Sequence, residues 1–369
     1  MKFKIEKTAF IKTLQRIQGI VEKRNTMPVL SNVLMETTGN RLNTIATDLE
    51  VFIKDSIAAD VEEQGAITVN ARKLFEIVKE LPSDKADISS TKDGNLTVKG
   101  GKARFNIMGI PSKDFPVFPK AEDARLEGIE KETLKEMIDK TAFAVSMDET
   151  RYNINGFLLE KDDSIIRMVT TDGHRLALIE KKGVIGMAGD GKNSVLLPRK
   201  GLMEIRKLLE EENKEGFFLG ISQKSAAMKR GDTVINIRLL EGEFPDYKKV
   251  IPKGNDQNAI TDRFSLLSSL KRVSILSSDK IRGVKFNFSN KKLTLSSSSP
   301  DIGDATEELD IEYSGTDIEI AFNARYLIDM LEAVEEDKVK IALKDSLSPG
   351  IVTPEGGRDY TYIIMPMRL

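Results

Sequence analysis

The sequence predicts an α+β protein made of three similar domains, each an antiparallel sheet backed by a pair of helices. Three observations carry this. An amphipathic segment recurs at residues 70–81, 197–209 and 323–334, placing Arg72, Arg199 and Arg325 at equivalent positions about 127 residues apart. A second apolar helical stripe precedes each segment. The runs between the two helices alternate and end in turn residues, so their strands pair as hairpins rather than through parallel crossovers.

The helices follow from spacing. Leu74, Ile77, Val78 and Leu81 fall at i, i+3, i+4 and i+7, as do Leu327, Met330, Leu331 and Val334. The preceding stripes are Phe10, Leu14 and Ile17, then Leu134, Met137 and Ile138, then Leu266, Leu270 and Val273. Strands are expected over 33–38, 157–160, 165–170 and 284–288, with turns at Gly39-Asn40, Asp93-Gly94 and Asp172-Gly173. The first repeat closes on Asp114-Phe-Pro-Val-Phe-Pro119 and the second on Glu243-Phe-Pro-Asp-Tyr247, running to Pro252. Polar linkers at 120–124 and 253–258 then divide the chain into domains 1–120, 121–252 and 253–369.

Composition narrows the chemistry. The 369 residues hold 56 Lys+Arg against 58 Asp+Glu, one His and no Cys, for a formal net charge of −2. Without Cys there are no disulfides, thiolate zinc or iron–sulfur sites, or thiol nucleophiles. Any His-dependent mechanism rests on His174. The N-terminus has no apolar signal core, and no run approaches the ~18 apolar residues of a membrane span. A cytoplasmic protein without metal or cofactor is expected.

Two local motifs invite catalytic readings. Gly186-Met-Ala-Gly-Asp-Gly-Lys192 matches a phosphate-binding loop, but Asn193 stands where Ser or Thr would hold magnesium. Such a loop must also open a helix, whereas Ser194–Leu197 reads as extended. A Gly-rich hairpin loop is the better reading. Thr171-Asp-Gly-His-Arg-Leu176 sits between apolar runs and reads as a hairpin turn rather than part of a triad. Ser296–Ser299 reads as a polar loop. Basic residues gather on the helices of the first two repeats, while Asp329, Glu332, Glu335, Glu336 and Asp337 surround Arg325 in the third. A chain of net charge −2 is not expected to hold DNA by charge neutralisation alone.

Thr171-Asp-Gly-His-Arg-Leu-Ala177, Phe244-Pro-Asp-Tyr247 and Met365-Pro-Met-Arg-Leu369 resemble the bacterial sliding clamp, the β subunit of the replicative DNA polymerase III. Asn70-Ala-Arg-Lys-Leu, Asp279-Lys-Ile-Arg-Gly283 and Asp345-Ser-Leu-Ser-Pro349 extend the resemblance over the whole chain. It implies the DNA clamp fold: two chains joined head to tail in a ring around duplex DNA, with helices lining the hole. Retention is then topological, and a near-neutral chain with basic helices suffices.

The resemblance also implies site residues. A groove for partner peptides (from polymerase subunits, the clamp loader and repair proteins) maps to Ile154, Thr171, Gly173, His174, Arg175, Leu176, Pro245, Lys249, Val250, Ile363, Met365, Pro366, Met367, Arg368 and Leu369. Lys249 stands where the family often has Arg, and Asn153 where it can have an aromatic residue. DNA contacts map to Arg24, Arg72, Tyr152, Arg199, Lys200 and Arg206, with Asp148 where the family can have Gln. The dimer interface maps to Phe105 and Ile107 on an edge strand, facing Ile275 and Leu276 on a third-domain helix. The rivals are a nucleotide-binding enzyme using the Gly186–Lys192 loop and a structural repeat protein.

Overall fold

The computed structural model describes residues 1–21, 27–91, 94–119, 125–148, 150–183, 185–187, 193–212, 215–277 and 282–368. Among the described residues there are six α-helices: α1 (Lys7–Gln18), α2 (Ala71–Lys79), α3 (Lys131–Asp139), α4 (Arg199–Glu210), α5 (Arg263–Val273) and α6 (Ala324–Ala333). They fall as two per predicted repeat.

The starts of α2, α5 and α6 share a device. The Asn70 side chain accepts from the Lys73 amide at 2.9 Å, Asp262 from Ser265 at 2.7 Å and Asn323 from Arg325 at 3.0 Å. Each satisfies an amide that a helix N-terminus otherwise leaves orphaned. The predicted stripes are the buried faces: Phe10, Leu14 and Ile17 on α1, Leu134, Met137 and Ile138 on α3, and Leu266, Leu270 and Val273 on α5. In α2, Leu74 and Val78 are buried, but Ile77 is only half-buried and Leu81 packs beyond the helix end.

Contacts divide the chain into two compact units. Unit 1 comprises residues 1–131, 184–192 and 200–239; unit 2 comprises 132–183, 193–199 and 240–369. Unit 1 carries a 14-stranded sheet. Within it, Val51–Ala58 of the first repeat pairs antiparallel with Thr233–Arg238 of the second, in register Ile53 to Ile235. Unit 2 carries a nine-stranded and a four-stranded sheet. There Arg175–Lys182 of the second repeat pairs with Tyr360–Ile364 of the third, Leu176 opposite Ile363. Two of the three sheets therefore run across repeats, while the four-stranded sheet belongs to the third repeat alone. Strands that would be exposed edges pair with the neighbouring repeat instead, which removes unpaired backbone from solvent.

Three sequence readings are corrected. Ser296–Ser299 is not a loop but the end of strand Lys292–Ser299, paired with Gly303–Asp310. Its alternation buries Ser297 and Ser299, and the Ser297 hydroxyl donates to the Val273 carbonyl at 2.7 Å, so the polar side chain is accommodated in the core. The stretch 253–258 is no free linker: the Asn255 amide donates to the carbonyls of Ala342 and Pro349, and a strand begins at Gln257. One short pair, Gly186–Met187 beside Phe217–Ile221, is parallel. Residues 120–124, and 188–192 of the Gly-rich loop, lie outside the described residues.

Candidate functional site

The hairpin between Ile165–Thr171 and Arg175–Lys182 is closed by its own side chains. Asp172 Oδ1 accepts from the amides of His174 (2.9 Å) and Arg175 (3.1 Å), and the Thr171 hydroxyl accepts from the Gly173 amide at 3.1 Å. Gly173 has φ +92°, and a Cβ there would lie 3.0 Å from Arg151 Nη2. The Asp-Gly pair is thus required by backbone conformation.

Arg175 points inward. Its Nε meets Asp172 at 3.0 Å, Nη1 meets Asp329 of α6 at 2.7 Å, and Nη2 donates to the Phe143 carbonyl at 2.5 Å. Its guanidinium lies 4.3 Å from the centroid of Tyr326, and the side chain is only 9% exposed. Burial alone would lower its pKa, but Tyr362, Asp329 and Asp172 outweigh that and raise it. The charge is permanent. Beside it, the exposed His174 ring stacks on Tyr326 at 6.4 Å.

Below the hairpin lies an apolar floor of Leu158, Val169, Leu176, Leu178, Leu196, Tyr247 and Ile363, with Leu240, Phe244 and Ile251 packed against it. The Tyr247 hydroxyl donates to Glu160 at 2.6 Å, and burial together with Glu160 holds its pKa above the ordinary 10.0. Over this floor opens a groove of about 200 Å³. Its lining brings together Ile154, Thr171, Gly173, His174, Arg175, Leu176, Pro245, Val250, Ile363 and Met365 of the expected set. Arg151, Phe244, Asp246 and Tyr247 also line it, and sequence reasoning did not place them there. Phe244-Pro-Asp-Tyr247 was the signal available: aromatic residues flanking a Pro that already belonged to the set.

The remaining expected groove residues sit elsewhere. Lys249 is 82% exposed and pairs with Asp246 at 3.1 Å. Met365 and Met367 donate their amides to the carbonyls of His174 and Ala321. The chain end thereby joins the strand Tyr360–Ile364 to Ile318–Asn323 of the four-stranded sheet. Pro366 and Met367 are half-buried outside the lining, and Arg368 is exposed. Leu369 lies outside the described residues. Asn153 is half-buried, whereas Asp148 is exposed and caps its own turn by accepting from the Thr150 amide at 3.0 Å.

The expected DNA contacts are unequal. Arg72 is exposed on α2 and pairs with Glu76 at 3.2 Å; Tyr152 is 64% exposed. Arg206 pairs with Glu210 at 2.9 Å. Lys200 donates to the Ile20 carbonyl at 3.0 Å and pairs with the buried Asp48, so its ammonium is largely committed within unit 1. Arg199 is half-buried and its Nε has no hydrogen-bond partner among the described residues. Arg24 lies outside the described residues. At the expected interface, Phe105 and Ile107 are half-buried on Ala103–Ile110, a strand paired along most of one side only. Ile275 is 72% exposed and Leu276 half-buried, not within α5 but in the 3₁₀ turn Ser274–Leu276 that follows it.

Fold and groove together define a repeat-built binding protein with strand-paired domains and an aliphatic groove at a hairpin mouth. Residues 1–119, 128–246 and 248–368 match, in that order, the N-terminal, central and C-terminal domains of the DNA polymerase III beta subunit. The beta sliding clamp of Pseudomonas aeruginosa is 38% identical over 371 residues, with all of both chains covered. The solved structure of the DNA polymerase III subunit beta from P. aeruginosa is 37% identical with a TM-score of 0.93, again over all of both chains. That of the Bartonella birtlesii sliding clamp bound to griselimycin is 34% identical with a TM-score of 0.95 over all of both chains. The chain belongs to the bacterial beta sliding clamp family, the β subunit of DNA polymerase III.

Proposed function

We propose that two copies of this chain close head to tail into a ring around duplex DNA, and that the ring tethers the replicative polymerase and other partners through its groove. The three domains would be 1–120, 121–252 and 253–369. Arg24, Arg72, Tyr152, Arg199 and Arg206 would face the DNA, with Lys200 contributing less because Asp48 and Ile20 hold it. Phe105 and Ile107 of one copy would meet Ile275 and Leu276 of the next.

The observation that carries the partner-binding reading is the aliphatic groove beneath His174. Leu176, Val250, Ile363 and Met365 line it, and a thioether and branched aliphatics accept varied apolar side chains. The partners are therefore short linear peptides with apolar anchors. No catalytic role is assigned: Asp172 and Arg175, the charged groups at the hairpin, are bound to each other and to α6 rather than presented for chemistry. The Gly-rich loop is followed by the strand Ser194–Pro198, not by a helix whose amides could cradle a phosphate. The protein would act in the cytoplasm; among the described residues no helix is long and apolar enough to cross a membrane.

Velocity sedimentation tests the assembly. The wild type should run as a dimer and Ile275→Asp as a folded monomer, because Ile275 is exposed in the single chain. Only the dimer should support processive synthesis by the polymerase. A dimeric Ile275→Asp protein would place the interface elsewhere.

A further inference from the structure

The hairpin mouth above the groove has a counterpart in unit 1. At the turn Thr47-Asp48-Leu49-Glu50, Asp48 Oδ1 accepts from the amides of Glu50 (3.0 Å) and Val51 (2.7 Å), and the Thr47 hydroxyl accepts from the Leu49 amide at 2.8 Å. These are the bonds that Asp172 and Thr171 make at the groove. The ladders agree as well. Leu34 lies opposite Ile45, and Phe52 opposite Thr47 and Asn236, just as Leu158 lies opposite Val169, and Leu176 opposite Thr171 and Ile363. Leu34 and Ile45 pack with Phe115 and Phe118, which take the places of Phe244 and Tyr247. Unit 1 thus repeats the turn and the apolar floor on which the groove is built.

One residue of the turn differs in kind. Where the groove has Gly173 at φ +92°, this turn holds Leu49 at φ +79°. A leucine in the left-handed region costs free energy that glycine would not. The turn's own hydrogen bonds, and the pairing of the buried Asp48 with Lys200, keep it there. Its side chain is nevertheless 41% exposed. Met27 (44%) and Val117 (88%) are also exposed, at the places of Arg151 and Asp246, which line the groove. Strain that holds an apolar side chain out to solvent is explained by contact with another molecule. Charge sorts the partner. The groove carries Arg151, His174 and Arg175, whereas the corresponding Met27, Glu50 and Val51 replace these with one exposed carboxylate.

We propose that Leu49, with Met27 and Val117, forms a second docking surface, and that its partner is a protein segment whose aliphatic anchor is flanked by a basic residue meeting Glu50. This surface is independent of what the groove binds, and it differs from the groove in the sign of charge it prefers.

Methyl NMR on the full-length protein tests it with two probes, acetyl-Lys-Leu-Leu-Lys-amide and acetyl-Glu-Leu-Leu-Glu-amide. The first should shift the Leu49 and Met27 methyl signals saturably, and the second should bind there about threefold or more weakly. The Met365 methyl reports entry of either peptide into the groove separately. Glu50→Gln should remove the preference between the peptides. Leu49→Asn suits the left-handed turn and removes the anchor, so affinity read at Met27 should fall about tenfold or more. Phe218→Thr removes an apolar side chain exposed on the strand Phe217–Ile221 and should bind as wild type does. Leu49→Gly should unfold at a temperature no lower than wild type, because the leucine is held out for a partner. Shifts at Met365 without shifts at Leu49 overturn the proposal, as do no shifts at all or equal affinity of the two peptides for the wild type. A Leu49→Gly protein that unfolds several degrees lower also overturns it, by assigning the side chain to packing within unit 1.

Discussion

Arg175 Nη1 lies 2.7 Å from Asp329 Oδ2, joining a hairpin of the second repeat to helix α6 of the third. Asp329 also accepts from Arg325 at 2.7 Å, while Arg175 keeps Asp172 and the Phe143 carbonyl. The groove wall at His174 is therefore held from behind by a buried ionic tie, and the groove should be no stiffer than that tie.

Asp329→Asn removes the charge and leaves the guanidinium partly satisfied by Asp172 and Phe143. The expected loss is about 1–3 kcal/mol of stability, less than the ~3–5 kcal/mol of a buried pair left wholly unpartnered. Urea unfolding measures it. Peptide affinity by fluorescence anisotropy should fall as well, because His174 loses its fixed position on Tyr326. Unaltered stability and affinity would mean the tie has no part in the groove.

Gly173→Ala places a Cβ at φ +92° and within 3.0 Å of Arg151. The expected cost is about 1–2 kcal/mol, with weaker peptide binding through a displaced hairpin. Unchanged unfolding of Gly173→Ala would show that the turn relaxes without strain.

Met365 tests the groove without disturbing the backbone. Truncation at 364 would also remove the amide bonds of Met365 and Met367 to His174 and Ala321. Met365→Glu keeps them and puts a charge into an aliphatic site, so peptide affinity should fall about tenfold or more while the dimer persists in sedimentation. Wild-type affinity in Met365→Glu would move the peptide to another surface.

Alkaline pH should loosen unit 2. Burial raises the pKa of Tyr360 and Tyr362 above 10.0, and burial with Glu160 does the same for Tyr247. A folded-state pKa raised above the unfolded value gives stability that is complete below pH 10 and is lost as pH rises past it. The urea midpoint should accordingly fall between about pH 9 and 11. Tyr247→Phe removes one such group, so its midpoint should fall less steeply, after an initial loss of about 1–2 kcal/mol for the hydrogen bond to Glu160. A midpoint flat across that range would contradict the direction of these shifts.

The helical repeat was legible because burial on a helix obeys a local period: Leu134, Met137 and Ile138 lie on one face before any tertiary contact is known. The hairpin at Asp172-Gly173 was legible for the same reason, since a turn is settled by its own residues. What is set over long range was not. Strand Val51–Ala58 finds its partner at Thr233–Arg238, and Arg175 finds Asp329 154 residues away. Lys200 looked like one more cation on a basic helix, and only the fold brings Asp48 to it. Ser296–Ser299 misled because serine favours loops, whereas here neighbouring strands and the Val273 carbonyl decide. Behind the groove wall, Tyr326 and Asp329 were missed because their relation to the hairpin exists only after α6 docks.

The central claim is that the protein is retained on DNA by encirclement, and linearisation measures that most directly. Protein loaded by a clamp loader onto a nicked circular plasmid, then separated from free protein at moderate salt, should stay with the circle. Cutting the plasmid once should release it through the free ends, at a salt concentration that does not release it from uncut circles. Protein that remains bound after the cut, or that leaves both forms according to salt alone, would contradict the account.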